Sequence, residues 1–191
     1  SKRDGVQREE VVTTLGTGDV LSLYTAPVTA TAAYNHARAD CSDGVWRCTP
    51  SLLLAPEEEV SLLAAYPRQS GADDPEAFPV SVAAQTDYLY SGAPVRASYD
   101  KPTAALTLRH ALCIVAFNIR SQISGELRQI VVDSDLFPLE GTLSVSSGQI
   151  SVVRSGSYSY SCEKMLAEQG WTTGHPGFFA TVSYTHLRAH E

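Results

Sequence analysis

One histidine sits in the most apolar stretch of this chain. It is His110, in "LTLRHALCIVAFNIR", residues 106–120. An imidazole there has two uses: it relays protons for a nucleophile, or it is a polar ring that the rim of a core must hydrogen-bond. The first use needs a Ser, Cys or Asp beside it, and sequence spacing supplies none. His110 is therefore expected to be structural. "LGTGDVL" holds Gly16 and Gly18 but lacks the third glycine of a dinucleotide loop, so it reads as a turn before a strand. No G-x-S-x-G elbow is present. Glu57 to Glu59 and Asp73-Asp74 are contiguous runs rather than a spaced acid pair, and read as solvated loop. His186 and His190 have the i, i+4 spacing of a helical zinc pair, but Leu187 stands where the zincin glutamate should follow. No catalytic residue, metal site or cofactor is expected.

The four cysteines add no ligand set. Cys41 and Cys48 flank "SDGVWR", a hairpin with Asp43-Gly44 as its turn. That register pairs Cys41 with Trp46 and Cys48 with Ala39, so the sulfurs are not opposed; a disulfide needs a turn centred on Gly44-Val45. Cys113 reads as a buried small hydrophobe.

The 191 residues, 43% hydrophobic and 18% charged, suit one large domain, or one domain plus part of another, with a real core. Fourteen basic against 21 acidic residues give a net charge of −7, with no basic stripe, which argues against nucleic acid as a partner. The longest charge-free run, Val20 to Ala37, is too polar to span a bilayer. The opening SKRDGVQREE is no signal peptide.

The elements that must position these residues are mostly strands. "DVLSLYT" (19–25) is the first, and residues 26–40 are loop or a weak strand. "VWRC" and "SLLLA" follow. "EEEVSLLAAYP" opens like a helix after Pro56 but is short for one, so Val60 to Tyr66 is read as a strand. Residues 67–86 hold three prolines and read as surface loop. "DYLYSG" sets Tyr88 and Tyr90 on one face and Leu89 on the other. The 104–120 run is expected to be one long strand entering a sandwich from its rim. "TLSVSS" and "QISVV" make a hairpin about Ser147-Gly148. Beyond Arg154 the chain reads as a Gly/Ser/Tyr linker, then a short helix with Ser161 as its N-cap.

The order "GDVLSLYT", "GVW", "SLLL", "VSLLAAYP", "QTDYLYSG", "LTLRHALCIVAFNI", "GTLSVSSGQISV" resembles the N-terminal domain of the fimbrillin-like family, surface pilus subunits of Gram-negative gut and oral anaerobes. The most specific part is the Q-x-D-x-L-Y segment with the H-A-L strand: Gln85, Asp87, Leu89 and Tyr90, with His110. The resemblance implies an all-β fold, a transthyretin-like Greek-key β-sandwich followed by a truncated start of a second domain. It also implies a lipoprotein precursor exported to the outer membrane and fimbrium, with the lipid anchor absent from this chain. An N-terminal strand is removed after an arginine, for which Arg8 is the candidate, and another subunit's strand fills the hydrophobic groove left behind. His110 has no catalytic role in this picture.

The expected organisation is a flexible or processed segment at 1–15, the sandwich domain at 16–154, and a stub of a second domain at 155–181. The tail at 182–191, within "VSYTHLRAHE", resembles a translated sequencing adapter and is expected to be non-native. Partners are other pilus subunits, by strand exchange. The alternative is a non-polymerising secreted β-sandwich, such as a tip adhesin, that binds a host glycan or protein through an exposed face carrying Trp46, Tyr88, Tyr90 and Tyr99.

Overall fold

Alternation along β1 (Val20–Pro27) decides the architecture. Leu21 and Leu23 enter one buried apolar cluster, and Tyr24 enters another. Successive side chains of a strand point to opposite faces, so this strand is covered on both sides. The structure, a computed structural model, describes residues 12, 14–28, 33–115, 118–119, 126–166, 171–172 and 178–180.

The strands after β1 are β2 (Asn35–Ser42), β3 (Val45–Thr49), β4 (Glu59–Tyr66), β5 (Phe78–Ser81), β6 (Leu89–Tyr90), β7 (Val95–Ser98) and β8 (Arg109–His110). They are followed by β9 (Cys113–Val115), β10 (Asn118–Ile119), β11 (Glu126–Val132) and β12 (Pro138–Leu143). The last are β13 (Ile150–Ser155), β14 (Tyr158–Leu166), β15 (Trp171–Thr172) and β16 (Phe178–Ala180). The main sheet runs β3-β2-β1-β4-β6-β8, with β7 also on β4. Read from β4, its first four strands lie in the order 4-1-2-3, a Greek key. A second sheet runs β13-β12-β5. β9 pairs with β16, β10 with β15 and β11 with β14. The fold is an all-β sandwich.

The two faces of the main sheet have different fates. Tyr24, Leu63 and Ala65 pack against Phe78, Val80 and Leu143 of the second sheet, which forms the sandwich core. Leu21, Leu23, Ala39, Leu62, Ala64 and Ala97 face the other way. There the cover is loop: Leu15, Leu54, Ala104, Leu106 and Leu108 pack on it.

Local chemistry explains the turns. Asp43 and Gly44 both take positive φ, 52° and 75°. That is the primed turn whose twist suits a hairpin, and it sets the expected register, Cys41 opposite Trp46 and Ala39 opposite Cys48. Both thiols are free. The expected hairpin about Ser147-Gly148 is also present, joining β12 to β13. Gly148 has φ 78°, and a Cβ there would collide with the Tyr90 phenol.

Several expectations are corrected. Residues 67–86 are not simply surface loop: a 3₁₀ turn at Pro75–Ala77 leads into β5, whose Phe78 is fully buried. The prolines misled, because Pro79 lies on an edge strand, where a missing N–H is tolerated. "SLLLA" at 51–55 is irregular rather than a strand, and Leu53 is 87% exposed. The 104–120 run is broken into β8 and β9. Leu106 and Leu108 pack on the loop-covered face while Leu112 enters the sandwich core, so the interruption at 111–112 re-aims the side chains. Cys113 is exposed, not buried. Tyr158–Leu166 is strand β14 rather than linker and helix; residues 167–170 of the expected helix lie outside the described residues.

Two outcomes are expected. Phe78→Ala lowers the unfolding free energy by about 3–5 kcal/mol, because it leaves a cavity, whereas Leu53→Ala changes it by no more than about 0.5 kcal/mol; urea denaturation checks both. Burial pushes the Tyr24 phenol up from 10.0 to about 12, and its Oη–H donates to the Ala72 carbonyl at 2.6 Å. The neutral phenol is the favoured form. Tyr24's contribution is therefore complete below pH 10 and is lost as pH rises through about 12. Alkaline unfolding curves should show that fall in the native protein and a shallower one in Tyr24→Phe.

Candidate functional site: an apolar trough beside an open edge

The loop-covered face of the main sheet is incompletely covered. A trough of about 1600 Å³ opens on it. Its floor is built by alternate residues of central strands: Leu21 and Leu23 from β1, Ala39 from β2, Leu62 from β4, Leu89 from β6 and Ala97 from β7. These point there because strand side chains alternate and their neighbours already fill the sandwich core. One wall is the whole of β3, followed by Leu52 to Leu54. The other is the chain from Pro102 to Leu108, ending at His110. Val12, Thr14 and Leu15 also line it.

The lip is apolar as well. Val45, Trp46, Leu53 and Tyr99 are large side chains left exposed there. Among the described residues, β3 is hydrogen-bonded on one side only, to β2. Its outer N–H and C=O groups therefore face outward beside the trough. Among the described residues, the lining contains Arg47 and the His110 imidazole and no carboxylate. Cys48 is also in the wall, and burial pushes its thiol up, away from the reactive thiolate.

The residues singled out in the sequence meet at one end. β6 pairs with β8 in the register Leu89 opposite His110. That pairing brings His110 Nδ1 to 2.9 Å from Asp87 Oδ1, across 23 residues. The Asp87 side chain is only 2% exposed and that of His110 is 43% exposed. The second Asp87 oxygen, Oδ2, accepts the Val12 N–H at 2.7 Å. Leu89 points into the trough and Tyr90 packs against the sandwich core. Gln85, at φ 46°, donates from Nε2 to the Val82 carbonyl at 2.6 Å and closes the preceding turn. Arg8, His186 and His190 lie outside the described residues. The four aromatic residues do not share one exposed face: Tyr88 is buried, edge-on to Phe78 at 6.4 Å.

Sequence reasoning missed a second polar cluster. His36 Nδ1 lies 2.9 Å from Asp73 Oδ1, and His36 Nε2 lies 2.9 Å from Ser22 Oγ. The order Ser-His-Asp imitates a nucleophile relay. Ser22, however, is fully buried, and its Oγ also accepts the Gln69 N–H at 3.2 Å. No substrate reaches it. The cluster clasps the 67–74 loop to β1 and β2, and the stacked ring of Tyr24, 4.9 Å from His36, completes the clasp. The period-2 placement of Ser22 in an otherwise apolar strand was the available signal. Among the described residues no group of three or more His, Cys, Asp or Glu is placed to hold a metal. No helix there is long and apolar enough to cross a membrane.

Comparison with known proteins adds one match. A family model described as fimbrillin-like covers residues 11–175. The chain has no match among curated proteins.

His110 holds a buried carboxylate, so His110→Ala should cost about 1–3 kcal/mol of stability, the penalty for leaving a buried acceptor short of a partner. Urea titration of the two proteins measures it. An unchanged midpoint would mean that Asp87 does not depend on the ring.

Proposed function

The chain belongs to the fimbrillin-like family, and on that premise we propose that it is a structural subunit of a cell-surface fimbria that polymerises by accepting a neighbour's strand. The observation that carries this reading is the trough lying alongside the edge of β3 that is unpaired among the described residues. An extended segment paired with that edge adds a strand to the main sheet beside β3 and sets its inward side chains against the β3 wall of the trough. Pairing satisfies the backbone edge, and the apolar floor is covered only where the partner segment continues over the trough.

Magnitudes constrain the donor. β3 has five residues, so a strand of equal length offers two or three inward side chains. At about 1.5–3 kcal/mol each, these supply about 3–9 kcal/mol, which leaves little or no surplus over the roughly 4–15 kcal/mol cost of association. The donor must therefore continue past β3 onto Leu52 to Leu54. A head-to-tail contact of this kind does not close on itself, and it propagates as a filament.

The finer features belong to the same proposal. Arg8 is the processing position, and cleavage there precedes assembly. The sandwich at 16–154 has transthyretin-like topology, 155–181 opens a second domain, and 182–191 is foreign to it. β14, within 155–181, pairs with β11 of the preceding segment in a two-stranded sheet. The subunit is exported as a lipoprotein to the outer membrane, and the fimbria serves adhesion.

The test is treatment of the purified chain with an arginine-specific protease, followed by electrophoresis in SDS without boiling. Cleavage at Arg8 followed by a ladder of SDS-resistant oligomers is expected, and Trp46→Asp with Leu53→Asp should leave monomer. A ladder unaffected by those substitutions, or none from the native chain, contradicts the reading.

A further inference from the structure

The ion pairing around β3 leaves one charge over. Arg38 Nε–H donates to both oxygens of the Asp40 carboxylate, at 2.8 and 2.7 Å, and Nη2 donates to Oδ1. Those bonds are the main reason that the Asp40 carboxyl lies below its usual range. Asp40 is also the residue directly opposite Arg47 in the pairing of β2 with β3. Its carboxylate is committed to Arg38, and Arg47 is left exposed at the sheet edge. At the far end of the trough His110 is held by Asp87, 2.9 Å away. Among the described residues, Arg47 is therefore the one charged side chain of the lining with no partner. The chain has 21 acidic residues against 14 basic ones, so a shortage of carboxylates does not explain it. From Val45 to Ala55, Arg47 is also the only charged residue.

We propose that the segment received at β3 carries a carboxylate opposite Arg47, between apolar residues, and that this ion pair sets the segment's register. The proposal rests on the strand-accepting reading and names the chemistry of the partner. Faces follow from alternation. Cys48 packs on the apolar face, so Arg47 beside it is turned to the opposite one. In the paired segment, the residues on either side of the carboxylate then point to the trough. A slip of one residue is already forbidden, because it turns those apolar side chains out to water. A slip of two is not forbidden by burial. It moves the segment roughly 7 Å, keeps each side chain on its face and exchanges one apolar contact for another. It does carry the carboxylate from Arg47 to Val45 or Thr49, neither of which is charged. Opposite charges attract across a ladder and like charges repel. The pair is exposed, so it adds little to affinity. Its effect is to select the register and to speed encounter between subunits whose net charge of −7 keeps them apart.

The test compares assembly rates, read as growth of the SDS-resistant ladder. Each full chain is first cut at Arg8 by the arginine-specific protease and checked by intact mass. In about 0.01 M salt, where charges act over about 30 Å, Arg47→Gln should assemble about two- to five-fold more slowly than the native chain. Arg47→Glu, which turns attraction into repulsion, should be slower by about ten-fold. Arg47→Lys keeps the charge and should stay near the native rate. Lys101→Glu makes the same charge change at an exposed residue in the turn after β7, and should lose much less. In about 1 M salt, where the range falls to about 3 Å, the ratio of native to Arg47→Glu should approach one. Arg47→Gln should also keep the native urea midpoint, as exposed substitutions do. A native rate in Arg47→Glu, equal slowing in Lys101→Glu, a gap that survives high salt, or a loss of stability that accounts for the slowing overturns the proposal and leaves the strand-accepting reading in place. No ladder from the native chain overturns that reading, and the proposal with it.

Discussion

The structure depends on one constraint: the central strands are apolar on both faces, and the second sheet covers only one. Leu21 and Leu23 alternate with Ser22 and Tyr24 along β1, and Leu62 and Ala64 alternate with Leu63 and Ala65 along β4. A sheet of this kind needs a layer on each side. β5 and β12 form one layer. The opposite face has only connecting segments, and these leave an open apolar trough. The unsatisfied face adjoins the edge of β3 that, among the described residues, is unpaired, and on the proposed reading an incoming segment pairs with that edge and continues over the trough. A protein that kept this surface for itself would carry a standing liability to aggregate; a subunit of a polymer uses it.

Polar groups on both faces of the main sheet are arranged to hold segments rather than to react. Ser22, His36 and Asp73 have the order of a catalytic relay, but the serine is sealed in. Asp87 and His110 have the pairing of a base and its orienting acid, but Asp87 also holds a backbone N–H. Burial holds the Tyr66 phenol above its ordinary pKa, helped by the Asp19 carboxylate beside it; it too serves as a donor that fixes the chain near the trough's end. In each case the partners come from distant parts of the sequence. Membership of a family of fimbrial subunits rather than of enzymes agrees with this use of polar chemistry.

Local patterns were legible and long-range ones were not. The Asp43-Gly44 turn gave the register of β2 on β3, because two positive-φ residues admit few hairpins. The strand at 60–66 was legible from its length between prolines. β5 was hidden by Pro75 and Pro79, whose meaning depends on the strand being at an edge. The break after His110 was hidden because "LTLRHALCIV" keeps its alternation while the chain changes the core it faces. The leucines at 52–54 looked like a strand because a hydrophobic run signals burial; here Leu52 and Leu53 form an exposed lip and Leu54 packs on the apolar face. Asp87 and His110 were both named from the sequence, but their bond depends on β6 pairing with β8, which no spacing announces.

On the proposed reading, β3 is an open edge in the free subunit and an interior strand after assembly. Amide hydrogen exchange over residues 45–49, measured on monomer and on assembled protein, tests it most directly. Fast exchange in the monomer for the amides not bonded to β2, becoming strongly protected in the polymer, is the predicted result. Equal protection in both states would contradict the account.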